Sequence, residues 1–364
     1  MTYRLICSKC RKEISEDTWV YRHSCNSPLT VEFDLNGLEL DPGEIKRREW
    51  SLWRYKELIP AEKIVSLGEG CTPLIKRNFF SLNLYLKLDY LNPTGSFKDR
   101  GTAVTLSKVA EFKFPGVIED SSGNAGISVA YYASSANIKA KIFVPRDAPS
   151  GKIAFIKASG AEIVECSSRE EAHEKAVKEA ELSDYVYVGH LWNPYFIEGT
   201  KTIAFEIAEQ LGWRAPDAAV APVASGTLLL GLYKGFKELY ELGLVEKIPR
   251  LIAVQGASCA PVYETLYGKT PTGCSSLADG LRVKNPPRLN EIVEAIKSTH
   301  GCCIVVDNYD IHMYSTFAYK RGFIVEPTSV TVFAALAKAV EEEILDKGEE
   351  VVAPLTGSGL KIVD

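Results

Sequence analysis

Nowhere in the 364 residues do roughly 18 apolar residues run together, which excludes a membrane-spanning helix. Basic excess is missing too: 42 Lys and Arg face 47 Asp and Glu, and a formal charge of -5 argues against nucleic acid as a partner. The opening "MTYRLICSKC" has no basic stretch followed by a long apolar run, so no secretory signal is expected. Internal repeats and low-complexity tracts are absent. The nine cysteines are odd in number and scattered, apart from Cys7/Cys10 and Cys302/Cys303. That pattern argues against a disulfide framework and for a reducing compartment, so a cytoplasmic location is expected.

What is present is the profile of a soluble globular enzyme, with 46% apolar and 24% charged residues. The length suggests two domains plus a small module. The first ~35 residues are polar, cysteine-bearing and rich in β-formers in "DTWVYRH" and "LTVEFDL". "LDPGEIKRREW" reads as the connector into the main body. From Ala61 onward, strands such as "LYLKLDYL", "GVIED", "KAKIFVP", "AEIVEC", "DYVYVGH", "AAVAPV" and "RLIAVQG" alternate with helical stretches. Among the latter are "SFKDRGTAVTLSKVAEF", "NAGISVAYYASSANI", "GTKTIAFEIAEQLGW" and "TLLLGLYKGFKELYELG". Short strands joined through helices mean crossover connections and parallel sheets, hence an α/β protein. Ligands in such sheets sit beyond the carboxyl ends of the strands.

Four strand ends carry loops of small polar residues: "NPTGSFKD", "SSGNAG", "ASGT" and "TGSG". Any one of them is explained as a turn. Together they are better explained as one cavity for a phosphorylated ligand, because small residues let backbone N–H groups approach phosphate oxygens.

Lys98 stands at the start of a helix that opens on Ser96 or Thr94 as its expected cap. A lysine in the first turn opposes the helix dipole, which favours acids there. A buried lysine amine loses its proton readily and forms Schiff bases with carbonyl cofactors. Lysine plus a glycine-rich phosphate loop points to pyridoxal phosphate, with a nucleotide-binding enzyme as the other reading. No "GxxxxGK[ST]" and no "GxGxxG" follows a strand, which weakens the second.

"SLWRYKELIP", "SLGEGCTPL", "NPTGSFKDRG", "SSGNAG", "EGTKTIAFEIAEQLGW" and "LTGSGLK" occur in an order that resembles the threonine synthase branch of the fold-type-II pyridoxal-phosphate enzymes. The resemblance covers essentially the whole chain. It implies two three-layer domains with parallel sheets behind a short zinc-ribbon-like segment at 1–35. The large cofactor-binding domain would be 36–87 with 190–364, and the small α/β domain 88–189. It further implies that Lys98 holds the cofactor and moves protons, that Phe97 packs near its ring and that Asn124 bonds its phenolic oxygen. Ala224, Ser225, Gly226, Thr227 and Leu228 would cradle the phosphate, and Thr356 would face the pyridine nitrogen. Ser121 and Ser122 would hold the substrate carboxylate or leaving group. The implied reaction turns O-phosphohomoserine and water into threonine and phosphate, and relatives of this kind are commonly dimers.

The sequence departs from that pattern in three places. The cradle reads "ASGTL" where a loop closer to "GNAGN" is usual. In "HLWNPYFIEGTK", His190, Leu191 and Phe196 replace the asparagine, serine and arginine that help hold a substrate phosphate. His190 would supply part of that clamp, with Arg146, Lys152 or Arg282 as cations that could approach; a shorter substrate, as in a threonine or serine dehydratase or a β-replacement enzyme, is the alternative. Near the amino terminus, Cys7, Cys10, His23 and Cys25 stand where the family's ribbon has two C-x-x-C pairs, so a zinc site or free cysteines are both open.

Overall fold

Runs of β-branched and apolar residues form thirteen strands across residues 3–362, which this computed structural model describes. The first three, β1 (Tyr3–Cys7), β2 (Glu13–Ile14) and β3 (Leu29–Phe33), make an antiparallel ribbon in the order β2-β1-β3. Leu5 and Val31 are paired across it and both buried. The ribbon is fastened to the body by hydrogen bonds. The Trp19 indole donates to the Tyr187 carbonyl at 3.3 Å, and Arg288 donates to the Leu29 carbonyl at 2.7 Å.

A four-stranded parallel sheet has the order β8-β7-β6-β9. Its strands are β6 (Gly116–Glu119), β7 (Lys139–Pro145), β8 (Glu162–Cys166) and β9 (Tyr185–Tyr187). Alternation assigns the faces. Val117, Ile142, Val144 and Val186 pack with Ala103, Val104 and Leu106 of the Lys98–Glu111 helix. Ile118, Phe143 and Tyr187 pack with Ala172 and Ala176 of the Arg169–Leu182 helix. The sheet is the middle of three layers.

The larger sheet has the order β12-β11-β10-β13-β5-β4. It comprises β4 (Leu74–Phe79), β5 (Leu82–Lys87), β10 (Ala218–Pro222), β11 (Arg250–Gly256), β12 (Cys302–Val306) and β13 (Glu350–Pro354). Ala219, Ala221, Leu251 and Val352 face the Thr202–Gln210 and Thr227–Glu241 helices. Ala218, Val220, Ile252 and Val351 face the Pro327–Glu341 helix.

Several local expectations need correction. The large sheet is not wholly parallel, since β4 runs antiparallel to β5. Phe80 and Ser81 between them have φ of 57° and 61°, the two left-handed residues of a tight hairpin. Neither is glycine, asparagine or aspartate, so composition did not mark the turn. The connector contains a helix, Pro42–Arg47, because the Asp41 carboxylate accepts from the Gly43 amide at 2.8 Å and Pro42 suits a first turn. "GTKTIAFEIAEQLGW" falls in two helices, Pro194–Thr200 and Thr202–Gln210, which meet at Lys201. That buried amine pairs with Glu198 at 2.6 Å and Glu238 at 2.8 Å, and faces the Phe33 ring of the ribbon at 4.2 Å. The strand in "LYLKLDYL" stops at Lys87, beyond which Asp89–Leu91 forms a 3-10 turn.

Candidate active site

The loop before Lys98 is folded by Asp99. Its carboxylate accepts from the Thr94 amide at 2.7 Å, the Thr94 hydroxyl at 2.5 Å and the Ser128 hydroxyl at 2.6 Å. Neither Thr94 nor Ser96 caps the helix. The N-cap is Phe97, without a side-chain cap bond, and the buried Ser96 hydroxyl has no partner among the described residues. The Lys98 ammonium lies 4.8 Å from the centre of the Phe97 ring and 5.3 Å from that of Phe196. Enclosure by protein brings its pKa down to about 7, with the Glu119 carboxylate opposing the shift. An amine poised there is a usable nucleophile and base at neutral pH.

Behind the lysine, the helix is braced by buried charge. Arg100 bonds Asp89 at 2.7 and 2.9 Å and Glu206 at 2.5 and 2.7 Å, while Lys87 meets Glu206 at 2.7 Å. Burial alone would raise the Glu206 carboxyl; Arg100 and Lys87 outweigh it and hold it down to about 2. The "SLGEGC" stretch joins this bracing through the Cys71 amide, which donates to Glu206 at 2.6 Å. Glu69 ties that stretch to "SLWRYKELIP" by accepting from the Trp53 indole at 2.7 Å, and it also accepts from the Tyr132 hydroxyl at 2.8 Å. Trp53 is buried, whereas Trp50 is exposed with Arg54 over its ring.

Two other strand-end loops meet the Lys98 loop. After β13, the Thr356 carbonyl accepts from the Phe97 amide at 3.0 Å, and Gly357 bridges to Ser96. The Thr356 hydroxyl is 2.9 Å from that of Ser329. After β6, Asn124 opens the Asn124–Ser135 helix, with the hydroxyl of Ser121 accepting from the Gly123 amide at 3.2 Å and Ser122 buried beside it. The Asn124 amide nitrogen donates to Glu326 at 2.7 Å, and its oxygen accepts from Lys361 at 2.6 Å. Lys361 also donates to the Gly95 carbonyl at 2.9 Å, closing the ring of loops.

The loop after β10, the immediate neighbour of β13, runs from Ala224 to Leu228. Gly226 has φ +83°, and a Cβ there would lie 2.2 Å from the Ile292 side chain. Being the N-cap, it has no side chain to occupy the first amides of the Thr227–Glu241 helix. The buried hydroxyls of Ser225 and Thr227 are 3.3 Å apart beside those amides. Free amides, two hydroxyls and a forced glycine fit a phosphate group.

The remaining wall follows β9. His190 Nδ1 lies 3.0 Å from Oε1 of the buried Glu119, and the His190 ring centre is 5.6 Å from that of Phe196. Burial pushes the Glu119 carboxyl well up, with Asp120 adding and Lys98 opposing. Burial pushes the His190 imidazole well down. Leu191 is half-buried beside it. Of the cations named from sequence, Lys152 is paired with Glu326 at 3.1 Å, Arg282 is exposed with Asp279 at 3.8 Å, and Arg146 is exposed. Glu119, Glu326 and Lys361 were missed. Glu119 had one signal, an acid ending the apolar strand just before "SSGN".

In the ribbon, the ligand atoms of Cys7, Cys10, His23 and Cys25 all lie within 4.8 Å of one another. Cys7 and Cys25 sulfurs are 3.5 Å apart, Cys10 sulfur and His23 Nδ1 3.5 Å, and His23 Nδ1 and Cys25 sulfur 3.0 Å. Tetrahedral zinc with Zn–S of about 2.3 Å needs sulfurs about 3.7 Å apart, so this tetrad is the right size. Just past the short His-x-Cys pair the chain turns at Asn26, whose φ is 57° and whose amide donates to the His23 carbonyl at 2.9 Å.

Two wound sheets, with strand-end loops from both gathered around the segment that carries one enclosed lysine, give the fold of an α/β enzyme. The chain belongs to the pyridoxal-phosphate dependent enzyme family, whose pattern matches residues 65–357. It is 32% identical over 375 residues to a threonine synthase of Methanocaldococcus jannaschii, covering 98% of this chain and 93% of that one. A threonine synthase of Bacillus sp. (strain ULM1) is 37% identical over 322 residues, or 86% and 90% of the two chains. Among solved structures, maize serine racemase superposes with a TM-score of 0.68 at 22% identity over 90% of this chain and 95% of that one, a likeness of fold. The protein is thus a lyase-type enzyme that uses pyridoxal phosphate. Among the described residues, no helix is long and apolar enough to cross a membrane.

Proposed function

We propose that the protein carries out the threonine synthase reaction, converting O-phosphohomoserine and water into L-threonine and phosphate. The observation that carries this reading is likeness to a threonine synthase over 98% of the chain, ribbon included. When bound, pyridoxal phosphate supplies the electron sink that stabilises negative charge on substrate carbon. Lys98 holds the cofactor covalently and, when released, shuttles protons; a pKa of about 7 suits both tasks. Ala224 to Leu228 bind the phosphate, Asn124 the phenolic oxygen, and Phe97 the ring. Thr356 presents a neutral hydroxyl to the pyridine nitrogen, which keeps the ring less electron-withdrawing and favours elimination over transamination. Ser121 and Ser122 hold the substrate carboxylate, with His190 at the distal end. The working unit is a homodimer, and the ribbon tetrad of Cys7, Cys10, His23 and Cys25 holds zinc as a structural site.

One observation favours a second reading. The wall of His190, Glu119 and Phe196 offers no guanidinium, the best side-chain clamp for phosphate. A shorter substrate would then be used, as in a threonine or serine dehydratase, or in β-replacement on O-phosphoserine. Assays of phosphate release from O-phosphohomoserine and O-phosphoserine, beside oxoacid formation from threonine and serine, separate the two. Turnover of serine or threonine with O-phosphohomoserine ignored would reverse the choice.

A further inference from the structure

We propose that Glu119 and His190 form a relay pair that gives a proton to the substrate's leaving oxygen and recovers one from the incoming water. The choice of a phosphate leaving group rests on the reaction proposed above. Glu119 ends β6, is fully buried and makes its contact to His190 through one oxygen; the other, Oε2, has no partner among the described residues. An apolar residue would close a strand end at less cost than a carboxyl with a bare oxygen. The His190 ring uses Nδ1 on that carboxyl and leaves Nε2 as its second functional atom. Its neighbour is Phe196, which in turn borders the Lys98 amine at 5.3 Å. His190 and the Lys98 amine thus border the same aromatic ring.

The pair carries one exchangeable proton in a form suited to relay. With Glu119 protonated and His190 neutral, the carboxyl O–H donates to Nδ1, and Nε2–H is the donor left for substrate. As the carbon–oxygen bond breaks, its electron pair stays on the departing oxygen, replaced at carbon by the pair from the C–H bond that Lys98 deprotonates. The oxygen takes the Nε2 proton, and Nδ1 takes the Glu119 proton. When water adds to carbon, its surplus proton goes to Nε2, and Nδ1 returns a proton to Glu119. One proton leaves with phosphate, one arrives with water, and the pair is restored.

The charged and titratable groups around Glu119 are Asp120 on its own loop, Lys98 on the facing helix, and His190 and Tyr187 on β9 and its loop. Because burial raises the Glu119 pKa, its proton persists to higher pH than that of an ordinary carboxyl and is lost as pH rises further. Activity that needs it should fall on the alkaline side.

The test compares wild type with Glu119→Gln in the holoenzyme, on leaving groups that do or do not need a proton. O-Phosphohomoserine and serine lose oxygen; β-chloroalanine loses chloride, which departs unprotonated. Turnover of the oxygen substrates should drop about 100-fold with the alkaline limb gone, and turnover of β-chloroalanine should change by less than about threefold. Thermal unfolding gives a readout apart from activity. A folded pKa raised above the unfolded one makes wild type lose stability as pH climbs past the ordinary carboxylate range, so the Tm advantage of Glu119→Gln should widen with pH. Equal loss on both kinds of substrate, no loss on either, or a flat Tm difference would overturn the relay. Should Glu119→Gln not fold, His190→Gln must show the same leaving-group selectivity. If wild type releases no phosphate from O-phosphohomoserine, the proposed substrate falls, and serine against β-chloroalanine still judges the pair.

Discussion

The Nζ of Lys361 lies 2.6 Å from Oδ1 of Asn124, and an ammonium in that position decides which way the amide faces. With its oxygen held by the cation, Asn124 presents its NH2 group toward Glu326. The last motif of the chain thus orients a residue 237 positions earlier, and it does so while pinning the Gly95 carbonyl of the lysine loop.

Lys361→Met should therefore weaken cofactor binding without touching the cofactor. A charge-assisted hydrogen bond contributes about 1.5–3 kcal/mol, so the dissociation constant for pyridoxal phosphate should rise roughly tenfold or more. Titration of stripped protein, followed by visible absorbance, measures it. Unchanged affinity would show that Asn124 holds its orientation by other means.

Lys98 provides a pH test. Its amine, at about 7 rather than the usual 10.5, should be mostly free base from just above neutrality. The initial rate at which stripped protein gains its visible band should rise with pH through about 7 and then level. Lys98→Ala should give no covalent band and no turnover. A rate that keeps climbing toward pH 10 would mean an ordinary lysine, and a band retained in Lys98→Ala would mean the wrong one.

Arg100 tests the bracing. Replacing it with Met removes the ion-pair partner of buried Asp89 and leaves buried Glu206 with Lys87, and breaking a buried ion pair of this kind costs about 3–5 kcal/mol. Denaturant unfolding of Arg100→Met should show a loss of that order. Lys175→Ala, which removes an exposed partner of Glu171, should cost well under about 1 kcal/mol. Similar losses from both would argue that the buried network is not what stabilises the helix.

Much of this site was legible because it is written in short local strings. The Lys98 loop, "ASGT" and "TGSG" follow β5, β10 and β13, three adjacent strands of one sheet whose ends a wound sheet brings together, while "SSGN" follows β6 of the other sheet. What stayed hidden depends on pairing across the chain. Glu119 and His190 are 71 residues apart and meet because β6 and β9 are neighbours, an order that hydrophobic rhythm does not specify. Thr94, expected to cap the helix, instead donates its amide and hydroxyl to the Asp99 carboxylate, a pairing no local string marked. The antiparallel edge was missed because Phe80 and Ser81 carry no turn signature.

The ribbon tetrad makes a prediction about metal. Purified protein should contain one zinc per chain, measured by atomic emission. Removing it with a chelator, or making Cys25→Ser, should lower Tm while leaving the pyridoxal phosphate band in place, because the ribbon docks through β3 and Trp19 rather than at Lys98. Protein free of zinc and equally stable with or without it would leave the cluster as four unligated side chains.

One substitution at Thr356 reports on both cofactor electronics and burial. Its hydroxyl is buried and 2.9 Å from that of Ser329, which also accepts from the amides of Thr356 and Gly357 at 3.0 and 2.9 Å. Thr356→Asp keeps a hydrogen-bond acceptor for Ser329 but adds a carboxyl with no cation within this set of contacts. In stripped protein that carboxyl should be destabilising by about 1–3 kcal/mol or more, the cost of an uncompensated buried polar group. A protonated pyridine nitrogen would compensate it, so the gain in Tm on adding pyridoxal phosphate should exceed that of wild type. The same proton makes the ring a stronger electron sink, so transamination should compete with elimination, seen as conversion of the cofactor to its pyridoxamine form during turnover. Wild-type rate, product ratio and Tm gain in Thr356→Asp would show that Thr356 does not face the ring.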